Sequence, residues 1–180
     1  MKHAKKITVC SVAMSIAVVM SNHSHEIRTS QRGLETIGNA EGCMRDPYKC
    51  PADILTVGIG STQTGGDVID VNKTYTDEEI AKRWIKDIQI AERCVKQNIE
   101  DKTNRKLPQS VYDSIVSITF NVGCGKIKNS TLYRKAIAGD FVGVCNEFPR
   151  WVYSGGSKLK GLELRREKEK QLCLTDLQKF

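Results

Sequence analysis

The sequence predicts a mainly helical α+β fold in two lobes, a small β-hairpin lobe and a helical lobe joined by a long helix. Three observations lead there. A capping box, Thr76 with Glu79, opens a run in which Ile80, Trp84, Ile88, Ala91 and Val95 recur at helical spacing. Ahead of it, TVGIGS from Thr56 to Ser61 reads as a strand punctuated by glycine, and Gly65 with Gly66 marks a hairpin turn. Behind it, helical patterns alternate with Gly-rich breaks.

Residues 1–27 form a segment of their own. Lys2, Lys5 and Lys6 precede an apolar run from Ile7 to Met20, the basic and hydrophobic regions of an export signal. That run is shorter than the about 20 apolar residues a stable membrane span needs, and Thr8, Ser11 and Ser15 dilute it, so its hold on a bilayer is marginal. The following SNHSHE offers no clear small-x-small cleavage site; the segment is read as retained, with cleavage as the alternative. Residues 28–180 form the second domain: a small lobe over about 28–76, a linking helix over about 77–98 and a helical lobe over about 99–180. Within it, Leu34 and Ile37 support a helix from about Ser30 to Glu41, and the capping box starts a helix from Asp77 to Asn98. Further helices are expected at about Gln109–Asn121, Ser130–Ala138, Asp140–Phe148 and Gly161–Leu174. The charge run RREKEK, Arg165 to Lys170, reads as a solvated helix face.

The net charge of +7 suits nucleic acid, anionic lipid or an acidic polymer such as the bacterial wall. With no helix-turn-helix signature and no aromatic-basic platform, nucleic acid is set aside as a partner. Seven cysteines point to an oxidising compartment, and an odd count leaves at least one outside any internal pair. All three histidines, His3, His23 and His25, lie in the N-terminal segment. Zinc peptidases, Cys-His peptidases and Ser-His-Asp enzymes therefore lack their parts, and no CxxC pair or phosphate loop is present. A glycosidase with no metal and no cofactor survives these exclusions.

The segment Ala40–Thr62 carries the chemistry, with Glu41 at a helix end, Cys50 nine positions on and Thr56 opening the strand. Glycoside hydrolysis needs a carboxylic acid to protonate the leaving oxygen and a second group to assist a water or the developing cation. Glu41 can be the acid. Cys43 and Cys50 flank it, and a bond between them would close a short loop worth roughly 2.5 kcal/mol as a static staple.

The spacing Glu41, eight residues, Cys50, five residues, Thr56 resembles the catalytic segment of the phage lysozymes, the muramidase family of bacteriophage endolysins. SITFNVGCGKIKNSTLYRKAIAGDF from Ser117 and RWVYSGGSKLKGLELRREKEKQLCL from Arg150 resemble that family as well. The resemblance implies a lysozyme-like fold and cleavage of the β-1,4 bond between N-acetylmuramic acid and N-acetylglucosamine in peptidoglycan. It makes Glu41 the general acid and Thr56 the residue that orients water. Cys50, at a position where many relatives have Asp, would stabilise the sugar cation or help the water; Asp46 and Asp53 are alternative sources of negative charge. Gly60, Phe120, Asn121, Arg150 and Trp151 become substrate contacts. Some relatives have a His after the TxGxG strand, where this chain has Ser61.

A subgroup of these endolysins carries an uncleaved signal-arrest-release segment, and the resemblance extends to it. Host export machinery would deliver the chain, the N-terminal segment would tether it to the inner membrane facing the periplasm, and release would free a monomer into the periplasm. In that subgroup a cysteine pair at the active site locks the tethered enzyme. Here a Cys43–Cys50 bond would give way to Cys10–Cys43 once Cys10 leaves the membrane. Cys94, Cys124, Cys145 and Cys173 remain as structural cysteines with three connectivities open; analogy with the family favours Cys124 with Cys145 and Cys94 with Cys173. Two other functions stay open, a lytic transglycosylase and a non-enzymatic wall-binding protein.

Overall fold

The computed structural model describes residues 8–50, 53–63 and 67–177; the lysines of the export signal and the Gly65–Gly66 turn lie outside the described residues. The protein is mainly helical with a small antiparallel sheet, as the sequence predicts. Its chain divides into two compact units: residues 1–27 with 38–87, and residues 28–37 with 88–180.

The first unit holds the sheet. Helix α1, Val12–Asn22, begins at Ser11, whose side chain accepts from the Met14 amide. Strands β1 (Met44–Lys49), β2 (Leu55–Gly58) and β3 (Ser61–Thr62) pair in that order, with Tyr48 opposite Thr56 and Val57 opposite Ser61. The β1 sequence, MRDPYK, gives no strand signal, and its pairing register shifts between Met44 and Tyr48, around Pro47, where a backbone donor is missing. Residues 8–10 lie along β1: the Arg45 amide donates to the Thr8 carbonyl at 2.8 Å, the Cys10 amide to the Cys43 carbonyl at 3.1 Å, and Val9 bridges Met44. Val57, Ile59, Ile80 and Trp84 form the core, joined by Ile16 and Val19 of α1. A side chain at Gly38 would sit 2.5 Å from Val12 and 3.2 Å from the Trp84 ring, so this contact depends on glycine.

Helix α3, Asp77–Val95, starts at the capping box as predicted: Thr76 Oγ1 accepts from the Glu79 amide, and Glu79 accepts from the Thr76 amide at 3.0 Å. Ile80, Trp84, Ile88, Ala91 and Val95 are all buried. The chain continues as a π-turn, Lys96–Glu100, and a short turn α4, Asp101–Thr103. Each unit takes part of this helix, residues 77–87 the first and residues 88–95 the second. Helix α2, Gln31–Glu41, divides likewise between residues 37 and 38.

The second unit is built on α5 (Gln109–Val122), α6 (Cys124–Ile127), α7 (Thr131–Ala138), α8 (Phe141–Glu147) and α9 (Lys160–Leu174), with a small hairpin, β4 (Tyr153–Ser154) and β5 (Ser157–Lys158). Ser130 and Asp140 cap α7 and α8 by accepting from the Tyr133 and Gly143 amides. Two expectations are corrected here. Arg165, Arg166 and Glu169 are buried rather than solvated, because α5 presents Ser117 and Asn121 to them as partners. The structural disulfides are Cys94–Cys124 and Cys145–Cys173, tying α3 to α6 and α8 to α9 with Cα separations of 5.8 and 5.6 Å, in place of Cys94–Cys173 and Cys124–Cys145.

Candidate active site

Glu41 is the last residue of α2, half-buried, and the chain turns immediately afterwards at Gly42, whose φ of +73° ends the helix. Gly60, at φ +72°, lies beneath its carboxylate: a Cβ there would stand 3.2 Å from Glu41 Oε2. Gly60 stands in the turn between β2 and β3, past Gly58, where the strand expected over TVGIGS ends, and its positive φ and the nearby carboxylate both favour glycine there. This places Glu41 and Gly60 side by side, a contact that the sequence alone did not predict.

Thr56 is buried opposite Tyr48, and its hydroxyl donates to the Ile54 carbonyl at 3.0 Å. With its proton committed there, the oxygen offers lone pairs to a donor such as water. Cys50 follows β1 at the mouth of a tight turn in which its amide donates to the Ile54 carbonyl at 3.0 Å and its carbonyl accepts from the Asp53 amide at 2.8 Å. Its sulfur stands outside the three disulfides. Cys10 and Cys43 are bonded to each other, with a Cα separation of 5.0 Å.

Both alternative carboxylates have partners other than the Glu41 carboxylate. Asp46 is buried and accepts from the Thr8 amide at 2.7 Å and the Thr74 hydroxyl at 2.6 Å, fixing the N-terminal residues to β1. Asp53 sits at φ +59° on the exposed turn and pairs with Lys49 at 2.8 Å.

Two residues of this unit, Tyr48 and Asp87, escaped sequence reasoning. Tyr48 shares the face of Thr56 across the β1–β2 pair and, two residues before Cys50, lies on the same side of the chain. Burial, then the charges of Glu41 and Cys50, push its phenol above the usual tyrosine value, so it stays a neutral hydroxyl. Alternation around Pro47 was the signal, too short to read. Ser61, where an ion pair was absent by expectation, donates to Asp87 Oδ2 at 2.5 Å. Burial raises the Asp87 carboxyl to about 6, against the lowering effects of the Ser61 bond and of Arg83.

The remaining predicted contacts belong to the helical unit. Phe120 and Asn121 close α5, which is buried from Ser110 to Thr119 and half-buried from Phe120 on. Trp151 is half-buried after the turn Phe148–Arg150, and Arg150 is exposed and paired with Glu147 at 3.3 Å. Among the described residues, no group of three or more His, Cys, Asp or Glu side chains is placed to hold a metal ion.

The chain is 43% identical over 180 residues to the SAR-endolysin of Escherichia phage P1, covering 94% of this chain and 92% of that protein. The active form of P1 phage endolysin Lyz superposes with a TM-score of 0.82 at 42% identity, covering 94% of this chain and 96% of that one. The secreted inactive form of Lyz matches with a TM-score of 0.56 at 41% identity, over 83% of this chain and 97% of that one. Residues 38–169, from just ahead of Glu41 to the buried Glu169, match the family model described as phage lysozyme. A half-buried glutamate over the TxGxG strand, a threonine oxygen ready to accept and this agreement of sequence and fold together place the chain in the phage lysozyme family, as an endolysin and a glycoside hydrolase of the lysozyme type.

Proposed function

We propose that the enzyme hydrolyses the β-1,4 bond between N-acetylmuramic acid and N-acetylglucosamine in peptidoglycan, and that it is exported, tethered inactive to the inner membrane, and activated on release by disulfide exchange. Glu41 protonates the leaving oxygen. Thr56 accepts from a water, turning the lone pair of that water toward the sugar cation, which supports hydrolysis over transglycosylation.

The observation that carries the regulatory part is the seat of the N-terminal segment. Residues 8–10 extend the sheet, Cys10 is bonded to Cys43, and Cys50 is left as a thiol beside the site. Helix α1 buries Ser15 while showing Met14 and Met20 to solvent, an inversion that fits a segment also required to reside in lipid. Among the described residues no helix is long and apolar enough to cross a membrane. The segment leaves the bilayer when the potential holding its lysines, about 2.3 kcal/mol per charge per 100 mV, collapses. In the exchange, the Cys10 thiolate attacks the Cys43 sulfur of a Cys43–Cys50 bond. That bond breaks as Cys10–Cys43 forms, Cys50 leaves as a thiolate and takes up the proton Cys10 released, and no net oxidation occurs. The closer likeness to the active than to the inactive form of Lyz supports reading the present fold as the released state.

Purified Glu41→Gln compared with wild type on cell-wall suspensions tests the chemistry. Wild type should clear the suspension and the variant should lose at least a hundredfold in rate; equal clearing removes Glu41 as the acid.

A further inference from the structure

We infer that His23 is an acid-set clasp for the N-terminal segment: as an imidazolium it bridges Glu26 and Glu78, pinning the end of α1 to the first turn of α3, and as pH rises it lets go. All three residues lie in the first unit. The inference goes beyond the proposed function and uses none of the groups assigned there to glycan cleavage or disulfide exchange.

The ring is held in place by its own backbone. The His23 amide donates to the Val19 carbonyl at 2.9 Å, and the His23 carbonyl accepts from the Glu26 amide at 2.9 Å, so the residue sits at the fixed joint between α1 and the single turn Ser24–Glu26. From there the imidazole lies between two carboxylates. Nδ1 is 2.6 Å from Glu26 Oε1 and Nε2 is 2.9 Å from Glu78 Oε1, with the side chain only 14% exposed. A neutral imidazole has one N–H and can donate to only one of these oxygens. Its other nitrogen would then turn a lone pair toward a carboxylate at hydrogen-bonding distance, acceptor against acceptor. The imidazolium has two N–H groups and satisfies both. Either bond alone would suit a neutral tautomer; the two together select the cation.

The neighbouring charges leave this arrangement intact. Glu78 also accepts from Asn22 Nδ2 at 3.5 Å and lies 3.3 Å from Lys82 Nζ. Lys82, the cation that α3 brings to the same carboxylate, is exposed and competes only weakly with the sheltered ring. The bond to Glu78 first, then that to Glu26, raises the His23 pKa above 6.5 against the lowering effect of burial, and the His23 bond leads the causes that hold the Glu78 carboxyl down. A proton held more tightly in the fold than in the unfolded chain stabilises the fold fully below pH 6.5, and that contribution is lost as pH climbs through the raised value. Asp46 and the Cys10–Cys43 bond fasten the front of the segment to β1 whatever the state of this ring, so His23 governs its far end.

The full-length protein with Cys10–Cys43 intact supplies the test. Ring-proton NMR follows the histidine titrations, the His23 signal being assigned by its loss in His23→Gln. Its midpoint should lie above 6.5 and fall in Glu78→Gln; a midpoint at or below 6.5, or one that Glu78→Gln leaves in place, overturns the inference. Thermal unfolding gives the energetic readout. Wild type should melt about 2–4 °C above His23→Gln near pH 6, the gap should close toward about pH 9, and it should shrink by about half or more when both proteins carry Glu78→Gln. A gap that does not change with pH, or one indifferent to Glu78→Gln, assigns His23 a packing role and overturns the clasp.

Discussion

Replacing Asp87 by Asn changes one atom of a carboxyl group that the fold holds in an unfavourable setting. Burial raises this group from 3.8 to about 6, so the folded protein binds its proton more tightly than the unfolded chain does. Its stabilising effect is therefore fully present below pH 3.8, declines as pH rises to about 6, and is gone above that. At 1.36 kcal/mol per pH unit, the ionised form costs at most about 3 kcal/mol. Solvent screening of a partly exposed carboxyl brings the expected figure to about 1–2 kcal/mol. Asparagine mimics the protonated acid and still offers an oxygen to the Ser61 hydroxyl. The variant should therefore melt about 2–8 °C higher than wild type at pH 7.5 and coincide with it at pH 3.5. Thermal unfolding followed by circular dichroism across that range is sufficient. Equal melting temperatures at pH 7.5, or a gap that persists at pH 3.5, would refute the linkage.

Gly60→Ala should lower kcat on cell walls at least tenfold and cost about 1–2 kcal/mol of stability, since the methyl meets both a left-handed backbone and the Glu41 carboxylate; turnover assays and urea denaturation measure the two, and full activity counts against the close approach. Cys10→Ser should be exported normally yet clear no walls after release until a reductant is added, because nothing attacks the locking bond. A variant fully active without reductant ends the exchange model.

Much of the fold was legible because it is local. The Thr76–Glu79 box needs only four residues, and the burial of Ile80, Trp84, Ile88, Ala91 and Val95 follows from spacing alone. Glu41, Cys50 and Thr56 were legible as a spacing, whereas the approach of Gly60 to the Glu41 carboxylate was not. What stayed hidden depends on partners distant in sequence. RREKEK looks solvated until α5 supplies Ser117 and Asn121 to its inner face, and charge alternation cannot tell the two cases apart. MRDPYK becomes a strand because β2 and residues 8–10 lie along it, against its own propensity. The four structural cysteines admit three pairings by arithmetic, and only the folded chain brings Cys94 to Cys124 and Cys145 to Cys173.

The lodging of residues 8–10 against β1 has a further effect on the released protein. Without them, that flank of the sheet would present the Arg45 amide and the Cys43 carbonyl to any passing chain, an open template for self-association. On the reading proposed above, the flank is bare while the segment sits in lipid, and the chain's own leader, at high local concentration, covers it on arrival in water. Departure from the bilayer and protection from clumping are then one event, and the enzyme becomes freely diffusing at the moment its sticky border disappears.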